Sequence, residues 1–269
     1  MTLFQAVILG IVQGLTEFLP VSSSGHLVLA NYYFGFSSEG ESLELAVDIA
    51  TNTGTFLAVL LVLRRDVWKA LSGFLSGLVS AEARKSEGWC LALFVILGSI
   101  PTAIIILGLR SIFEVLNKPF YVSFALIATG LILWFAPKSG AKETARELTW
   151  KDALITGIAQ GLAGIPGVSR SGTTISVLLW RGAEADLAAR FSFLMYLVAS
   201  FGVAILGVAD VREAGLEPIP ILGMTVASFV TGYVALVWLF SLLRKGQFKW
   251  FAPYLWVVAL ITLASIFLT

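Results

Sequence analysis

Six apolar stretches long enough to cross a bilayer recur along this chain: Leu43 to Leu63, Trp89 to Leu109, Phe120 to Ala136, Phe191 to Ala209, Pro218 to Leu243 and Phe251 to Leu268. A hydrocarbon core about 30 Å thick requires roughly 20 such residues, so each stretch predicts a spanning helix. Two further apolar segments are interrupted: Gly10 to His26 reads GIVQGLTEFLPVSSSGH and Gly157 to Thr173 reads GIAQGLAGIPGVSRSGT. Each is broken near its middle by Pro, Gly and Ser and then resumes as an apolar helix. Proline removes an amide donor and glycine admits irregular backbone. At membrane depth such backbone survives only where protein or a water-filled cavity satisfies it. The two segments therefore predict re-entrant helical hairpins, over about 5–34 and about 152–182, with Ser/Gly-rich tips near the midplane.

The two segments are also copies of each other, nine of seventeen residues being identical at a constant offset of 147. Three predicted spans separate them, and an odd number of crossings inverts the second copy relative to the first. The expected fold class is thus an all-α polytopic membrane protein built as an inverted repeat. Each half, 1–141 and 142–269, is a re-entrant broken hairpin followed by about three full transmembrane helices, and the two form one integral membrane domain.

Charge tests that topology. If the hairpins do not cross, one side collects Arg64, Arg65, Lys69, Arg84, Lys85, Lys138, Lys142, Arg146, Lys151, Arg244, Lys245 and Lys249, and the other only Arg110, Lys118 and Arg212. By the positive-inside rule the basic loops are cytoplasmic and both termini lie on the outer side of the plasma membrane. Composition agrees: 58% of residues are hydrophobic, 13% are charged and mean hydropathy is +0.90. A soluble domain could not cover that much apolar surface with so few charges. No basic stripe points to nucleic acid, and the single Cys90 excludes an intrachain disulfide or a Cys-rich metal site. The N-terminal MTLFQAVILG lacks a basic n-region and a small-residue cleavage pattern, so it is expected to be part of the folded chain.

The candidate chemistry sits where the copies diverge: Glu17 and His26 in the first, Arg170 in the second. A Ser/Gly turn opening a helix presents unpaired amides and the positive end of the macrodipole, which makes it an anion site. Ser22, Ser23, Ser24 and Gly25 open one helix; Ser169, Arg170, Ser171 and Gly172 open the other, followed by Thr173 and Thr174. Arg170 adds a forked cation suited to phosphate oxygens. Ionisable groups in a membrane are expensive and usually functional, which singles out Glu17 and the lone His26. Gln13 and Glu17, four apart, share a helix face. They could hold a hydrated divalent cation or orient a nucleophile, and spacing leaves both roles open.

These residues resemble a known family. Gln13 to His26 is similar to the (Glu/Gln)-x-x-x-Glu element and following Ser/Gly/His turn of the undecaprenyl-diphosphatases, also called bacitracin resistance proteins, and Pro166 to Thr174 resembles their second signature, Pro-Gly-x-Ser-Arg-Ser-x-x-Thr. The resemblance covers the whole chain. It implies a membrane phosphatase that removes the terminal phosphate of a polyprenyl diphosphate and returns the lipid carrier to cell-wall synthesis. Glu17, Ser23, His26 and Arg170 would be catalytic, with Ser22, Ser24, Gly25, Ser169, Ser171, Gly172, Thr173 and Thr174 around the diphosphate. Glu17 and Gln13 would hold magnesium or calcium. This chain has Gln13 where many relatives carry a second carboxylate, and Asn52 where His or Gln is commoner. The partners implied are the lipid substrate and the bilayer, and a homo-oligomer is left open. The competing reading is an inverted-repeat transporter or flippase of a lipid phosphate or small anion.

Four tryptophans, Trp134, Trp150, Trp250 and Trp256, are expected at the membrane interface. The amphipathic segment Val67 to Ala81 is expected to lie in that interface. Arg181, Glu184, Asp186 and Arg190 are expected to form structural ion pairs, with Arg190 a candidate to face the site.

Overall fold

The computed structural model describes residues 1–35, 41–137, 147–206 and 217–268, and among them there is helix but no strand. The predicted boundary between the halves at 141/142, and Lys138, Lys142, Arg146 and Arg212, lie outside the described residues. Twelve α-helices are described: α1 (Leu3–Phe18), α2 (Ser23–Phe34), α3 (Glu41–Val62), α4 (Arg64–Val79), α5 (Glu87–Gly108), α6 (Arg110–Leu116), α7 (Pro119–Phe135), α8 (Trp150–Leu162), α9 (Arg170–Trp180), α10 (Ala185–Leu206), α11 (Pro218–Arg244) and α12 (Phe251–Leu268).

The six predicted spans coincide with α3, α5, α7, α10, α11 and α12, with Gly207, Val208 and Ala209 at the end of the fourth lying outside the described residues. Four helical stretches, at α5, α10, α11 and α12, are long and apolar enough to cross a membrane by themselves. α3 turns by 80° into α4, and α6 turns by 102° into α7. The sharp turn places the amphipathic segment on its own helix, with Trp68, Leu71, Leu75 and Leu78 exposed along it. Trp134, Trp150 and Trp250 are also exposed. Trp256 departs from that pattern: it packs over Gly130 of α7, and its indole N–H donates to the Ile127 carbonyl at 3.3 Å.

Both interrupted segments form a helix, a short turn and a second helix. α1 begins in a capping box, the Thr2 hydroxyl accepting from the Gln5 amide and the Gln5 side chain accepting from the Thr2 amide. It stops at Leu19, whose ψ of 145° is the extended conformation expected before a proline. α8 repeats the device, Thr149 being paired with Asp152. At about 1.5 Å per residue, the 16 residues of α1 and 12 of α2 rise about 24 and 18 Å, short of a 30 Å hydrocarbon core.

The halves interlock. α1 packs on α11, from the second half, and α8 packs on α5, from the first. Both contacts are made through Gly-x-x-x-Gly pairs at repeat-equivalent positions. A β-carbon on Gly14 would lie 2.6 Å from the Ser228 carbonyl oxygen of α11, and one on Gly157 would lie 2.0 Å from the Gly98 carbonyl oxygen of α5. Only glycine lets these backbones approach, the usual small-residue solution where lipid supplies no hydrophobic drive to helix association.

Three of the four residues expected in structural ion pairs form them, each with a partner outside the set: Arg181 with the buried Asp152, Arg190 with Asp66 at 2.6 Å, and Asp186 with Arg244 at 3.3 Å; Glu184 joins none of these pairs. Arg190 thus faces Asp66, with its guanidinium 6.0 Å from the centre of the Phe240 ring.

Candidate functional site

Interlocking brings the two turns together. A β-carbon on Gly25 would fall 2.9 Å from the Gly167 α-carbon, and one on Gly172 would fall 3.2 Å from the Pro20 β-carbon. Each turn has its own support. Gly167 has φ +96°, a conformation L side chains rarely adopt, and its carbonyl accepts from the Thr129 hydroxyl of α7 at 2.9 Å. The same hydroxyl accepts from the Ser169 amide at 3.1 Å. In the first turn Ser22 has φ +70°, the one positive-φ non-glycine among the described residues. Such a conformation costs on the order of 1–3 kcal/mol and persists where surroundings fix it. The surroundings here are the Gly25 amide on its hydroxyl at 3.3 Å, the His26 amide on its carbonyl at 3.1 Å, and the His26 ring at that carbonyl.

At the offset of 147, Ser23 and Arg170 are equivalent residues, each the first of its helix (α2 and α9). From opposite sides they reach one carboxylate. The Ser23 hydroxyl donates to Glu17 Oε2 at 2.5 Å, Gln13 Nε2 donates to the same oxygen at 2.9 Å, and Arg170 pairs with Oε1. The guanidinium lies 3.9 Å from the centre of the Tyr196 ring of α10. Tyr196 is held in turn, its hydroxyl 2.9 Å from that of Thr55 on α3 and within 3.5 Å of Asn52 Oδ1. Stacking on an aromatic face and pairing with a buried carboxylate fix the plane of the arginine. Arg181, by contrast, is committed to Asp152.

This cluster lines an open cavity of about 310 Å³ whose walls include Gln13, Glu17, Ser22, Ser23, Ser24, Asp48, Asn52, Gln160, Ser169, Arg170, Tyr196 and Ser200. That volume lies in the range of small-molecule sites. Gln13 and Gln160, equivalent in the repeat and both almost fully buried, each present a side-chain carbonyl oxygen with no hydrogen-bond partner in the structure. Two buried acceptors on one cavity wall call for donors or a cation from its contents.

The other expected site residues build the turns instead of lining the cavity. The Gly25 and Gly172 amides are taken by the capping hydroxyls of Ser22 and Ser169, so the free amides at each helix start are those of the first two residues. Ser171 reaches back to the Leu19 carbonyl at 3.4 Å, Thr174 bonds the Arg170 carbonyl at 2.8 Å and the Ser192 hydroxyl at 2.6 Å, and Thr173 is buried outside the cavity wall. His26 is not brought to Glu17 or Arg170. Its Nδ1 lies 2.8 Å from the Ser22 carbonyl, its Nε2 lies 2.7 Å from the Tyr254 hydroxyl of α12, and the two rings stack 5.7 Å apart. A ring nitrogen facing a carbonyl must donate, so Nδ1 carries a proton, and in the neutral ring Nε2 accepts from Tyr254.

Tyr196, Gln160, Ser200 and Asp48 were not singled out as site residues in the sequence. A tyrosine inside an otherwise apolar span was the available signal, because its buried hydroxyl needs a partner. Among the described residues no three His, Cys, Asp or Glu side chains gather as a metal-binding group.

Comparison with known proteins gives a consistent picture. The sequence profile described as bacitracin resistance protein BacA matches residues 6–261. A protein named undecaprenyl-diphosphatase from Acaryochloris marina is 72% identical over 266 residues, covering 99% of each chain. Proteins of that name from Desulfatibacillum aliphaticivorans and Carboxydothermus hydrogenoformans are each 40% identical, covering 98% of both chains in the first case, and 96% of this chain and 95% of the relative in the second.

Proposed function

This chain belongs to the bacitracin resistance protein BacA family and is an undecaprenyl-diphosphatase, and we propose that Ser23 attacks the diphosphate, with Glu17 taking its proton and Arg170 gripping the transferred phosphoryl group. The activity is that of a multi-pass membrane hydrolase, which releases the terminal phosphate of undecaprenyl diphosphate and leaves the monophosphate for reuse as a lipid carrier. The observation that carries the proposed roles is the convergence of Ser23 and Arg170, one from each half, on the two oxygens of Glu17.

In the first step Ser23 Oγ forms a bond to the terminal phosphorus as its proton passes to Glu17 Oε2. The bond between that phosphorus and the bridging oxygen breaks, and the lipid monophosphate departs as an anion needing no proton. In the second step water attacks the phosphoserine, Glu17 returns the proton to Ser23 Oγ as the Oγ–P bond breaks, and both protons of the water stay with inorganic phosphate. Phosphoryl transfer is governed by positioning and by charge stabilisation on the equatorial oxygens. Arg170 and the first-turn amides of α2 and α9 supply both. Without substrate, Arg170 rests on Glu17 and the Tyr196 ring; an arriving phosphate competes for the guanidinium and leaves Glu17 with Ser23 as its proton donor. A carrier has no use for a serine hydrogen-bonded to a buried carboxylate beside the anion grip, which disfavours the transporter reading.

The donor set fits a divalent cation in part. Glu17 with the partnerless Gln13 oxygen offers one carboxylate and one amide oxygen. That suits magnesium, which is held by one or two carboxylates plus substrate phosphates and water, better than calcium, which takes six to eight oxygens. We propose Glu17 and Gln13 as its protein ligands; bound there, the cation would neutralise charge on the diphosphate. Gln13→Glu is expected to lower the magnesium concentration for half-saturation by about tenfold, because ligand charge count sets affinity in such sites. Magnesium titration calorimetry of the purified variant checks this, and an unchanged affinity would remove Gln13 from the ligand set.

We further propose that the basic loops are cytoplasmic, that both hairpins are re-entrant, and that both termini lie outside the plasma membrane. The test of function is phosphate release from undecaprenyl diphosphate by the purified wild type in detergent, with and without a chelator. Release that stops with the chelator and returns with magnesium is the expected result; no release from folded protein would sink the reading.

A further inference from the structure

The cavity holding Glu17 and Arg170 has a neighbour. A second recess of about 230 Å³ lies between α3 and α10 and shares Asn52, Ser200 and Val203 with the first. Away from those residues its walls become apolar. On α3 the stripe Asp48, Asn52, Phe56 advances four residues at a time from an acid through an amide to an aromatic ring. On α10 the stripe Tyr196, Ser200, Ala204 does the same from a phenol through a hydroxyl to a methyl. Residues four apart share a helix face, so each helix presents one side that grades from polar at the reaction centre to apolar at the far end. The two helices close on each other through the Phe56 and Phe201 rings, 6.5 Å apart at 26°. Leu57 and Phe201 border the recess and remain exposed at the surface of the helix bundle.

We propose that this recess is where the isoprenoid chain of the substrate leaves the reaction centre for the lipid, its first units lying between Phe56 and Leu57 of α3 and Phe201 and Ala204 of α10. The inference rests on the phosphatase reading and adds the address of the lipid tail. A diphosphate held at Arg170 carries a hydrocarbon chain that the polar cavity cannot accommodate, since burying apolar surface among unsatisfied acceptors would strand them. The chain therefore needs an apolar passage opening off the same wall. Here one begins at Asn52 and Ser200, whose side chains mark the join between headgroup and tail. Apolar surface gains by leaving water for such walls, so a substrate that carries isoprene units gains from the recess and one without them does not.

The expected result is therefore a change in preference for the isoprenoid substrate. Ala204→Trp, which fills the recess, should lower the ratio of kcat/KM for undecaprenyl diphosphate over methyl diphosphate, which has no isoprene units to place there, at least tenfold, whereas Leu260→Trp, on the exposed face of α12, should leave the ratio unchanged. A wild-type crosslink provides the second measurement, needed if the tryptophan variant does not fold. An undecaprenyl diphosphate analogue carrying a photoreactive group on its first isoprene units should label peptides spanning residues 53–57 and 200–204. An unchanged ratio, an equal loss on both substrates, or labelling confined to other helices would each overturn the assignment. Release from neither substrate by the wild type is a different result: it would sink the phosphatase reading, and this inference with it.

Discussion

Ser23→Ala is expected to release phosphate from undecaprenyl diphosphate at least about 10³-fold more slowly than the wild type, with substrate affinity little changed, because the variant removes the attacking oxygen and leaves the grip intact. The geometry favours this hydroxyl over the other serines of the turn. Ser22 is committed to capping α2 and to a strained backbone, and Ser24 Oγ lies 3.4 Å from Ser22 Oγ without reaching Glu17. Ser23 alone of the three donates to the buried carboxylate, and as the first residue of α2 it sits where the macrodipole stabilises developing negative charge. Acid quenching of wild type turning over substrate labelled in the terminal phosphate should leave acid-stable label on the peptide carrying Ser23, absent from the alanine variant. Retention of a tenth or more of wild-type activity would transfer the attack to water activated by Glu17. Acid-labile label would transfer it to His26, which would then have to abandon both Ser22 and Tyr254.

His26 shows where linear reading loses information. In the sequence it closes the Ser/Gly turn nine residues from Glu17, and nothing there fixes the face on which its ring emerges. The fold decides, through a carbonyl turned by the positive φ of Ser22 and a tyrosine 228 residues away. The helices themselves were legible because the bilayer imposes length and apolarity on every span, and backbone irregularity on a span is costly enough to mark Pro20 and Pro166-Gly167 as breaks. Glu17 and Arg170 were legible for the same reason, as charges placed where charge is costly, whereas Ser23 stood among three serines and was set apart by the family resemblance. Tyr196 and Gln160 were harder to find. Each is a single polar group in an apolar run, and its value depends on which helix packs beside it. The Gly-x-x-x-Gly pairs that set this packing, at Gly10 and Gly14 and at Gly157 and Gly161, are present in the chain, but their partners on α11 and α5 are not deducible from spacing.

Arg170→Lys keeps the charge and should still lower kcat/KM by about 10²- to 10³-fold, while Arg170→Ala should lower it by about 10³- to 10⁵-fold, the range seen when a phosphoryl-gripping arginine is lost. If Arg170 acted as a point charge, lysine would replace it almost fully. The structure argues for shape as well. The guanidinium carbon lies 3.9 Å from the centre of the Tyr196 ring, a support that remains when an arriving phosphate draws the group from Glu17, and a planar fork can then meet two phosphate oxygens at once. An ammonium cannot present a planar fork, and its flexible stem loses more freedom for each bond formed. Because the stacking partner is part of the device, Tyr196→Leu should cost less than either arginine variant, in line with a desolvated cation–π contact of about 2 kcal/mol, roughly thirtyfold. Steady-state phosphate release by the three variants gives the ordering. A lysine variant within threefold of wild type would reduce Arg170 to its charge and leave the Tyr196 platform a packing contact; a tyrosine effect equal to that of the alanine variant would mean that the ring, and not the fork, sets the geometry of the grip.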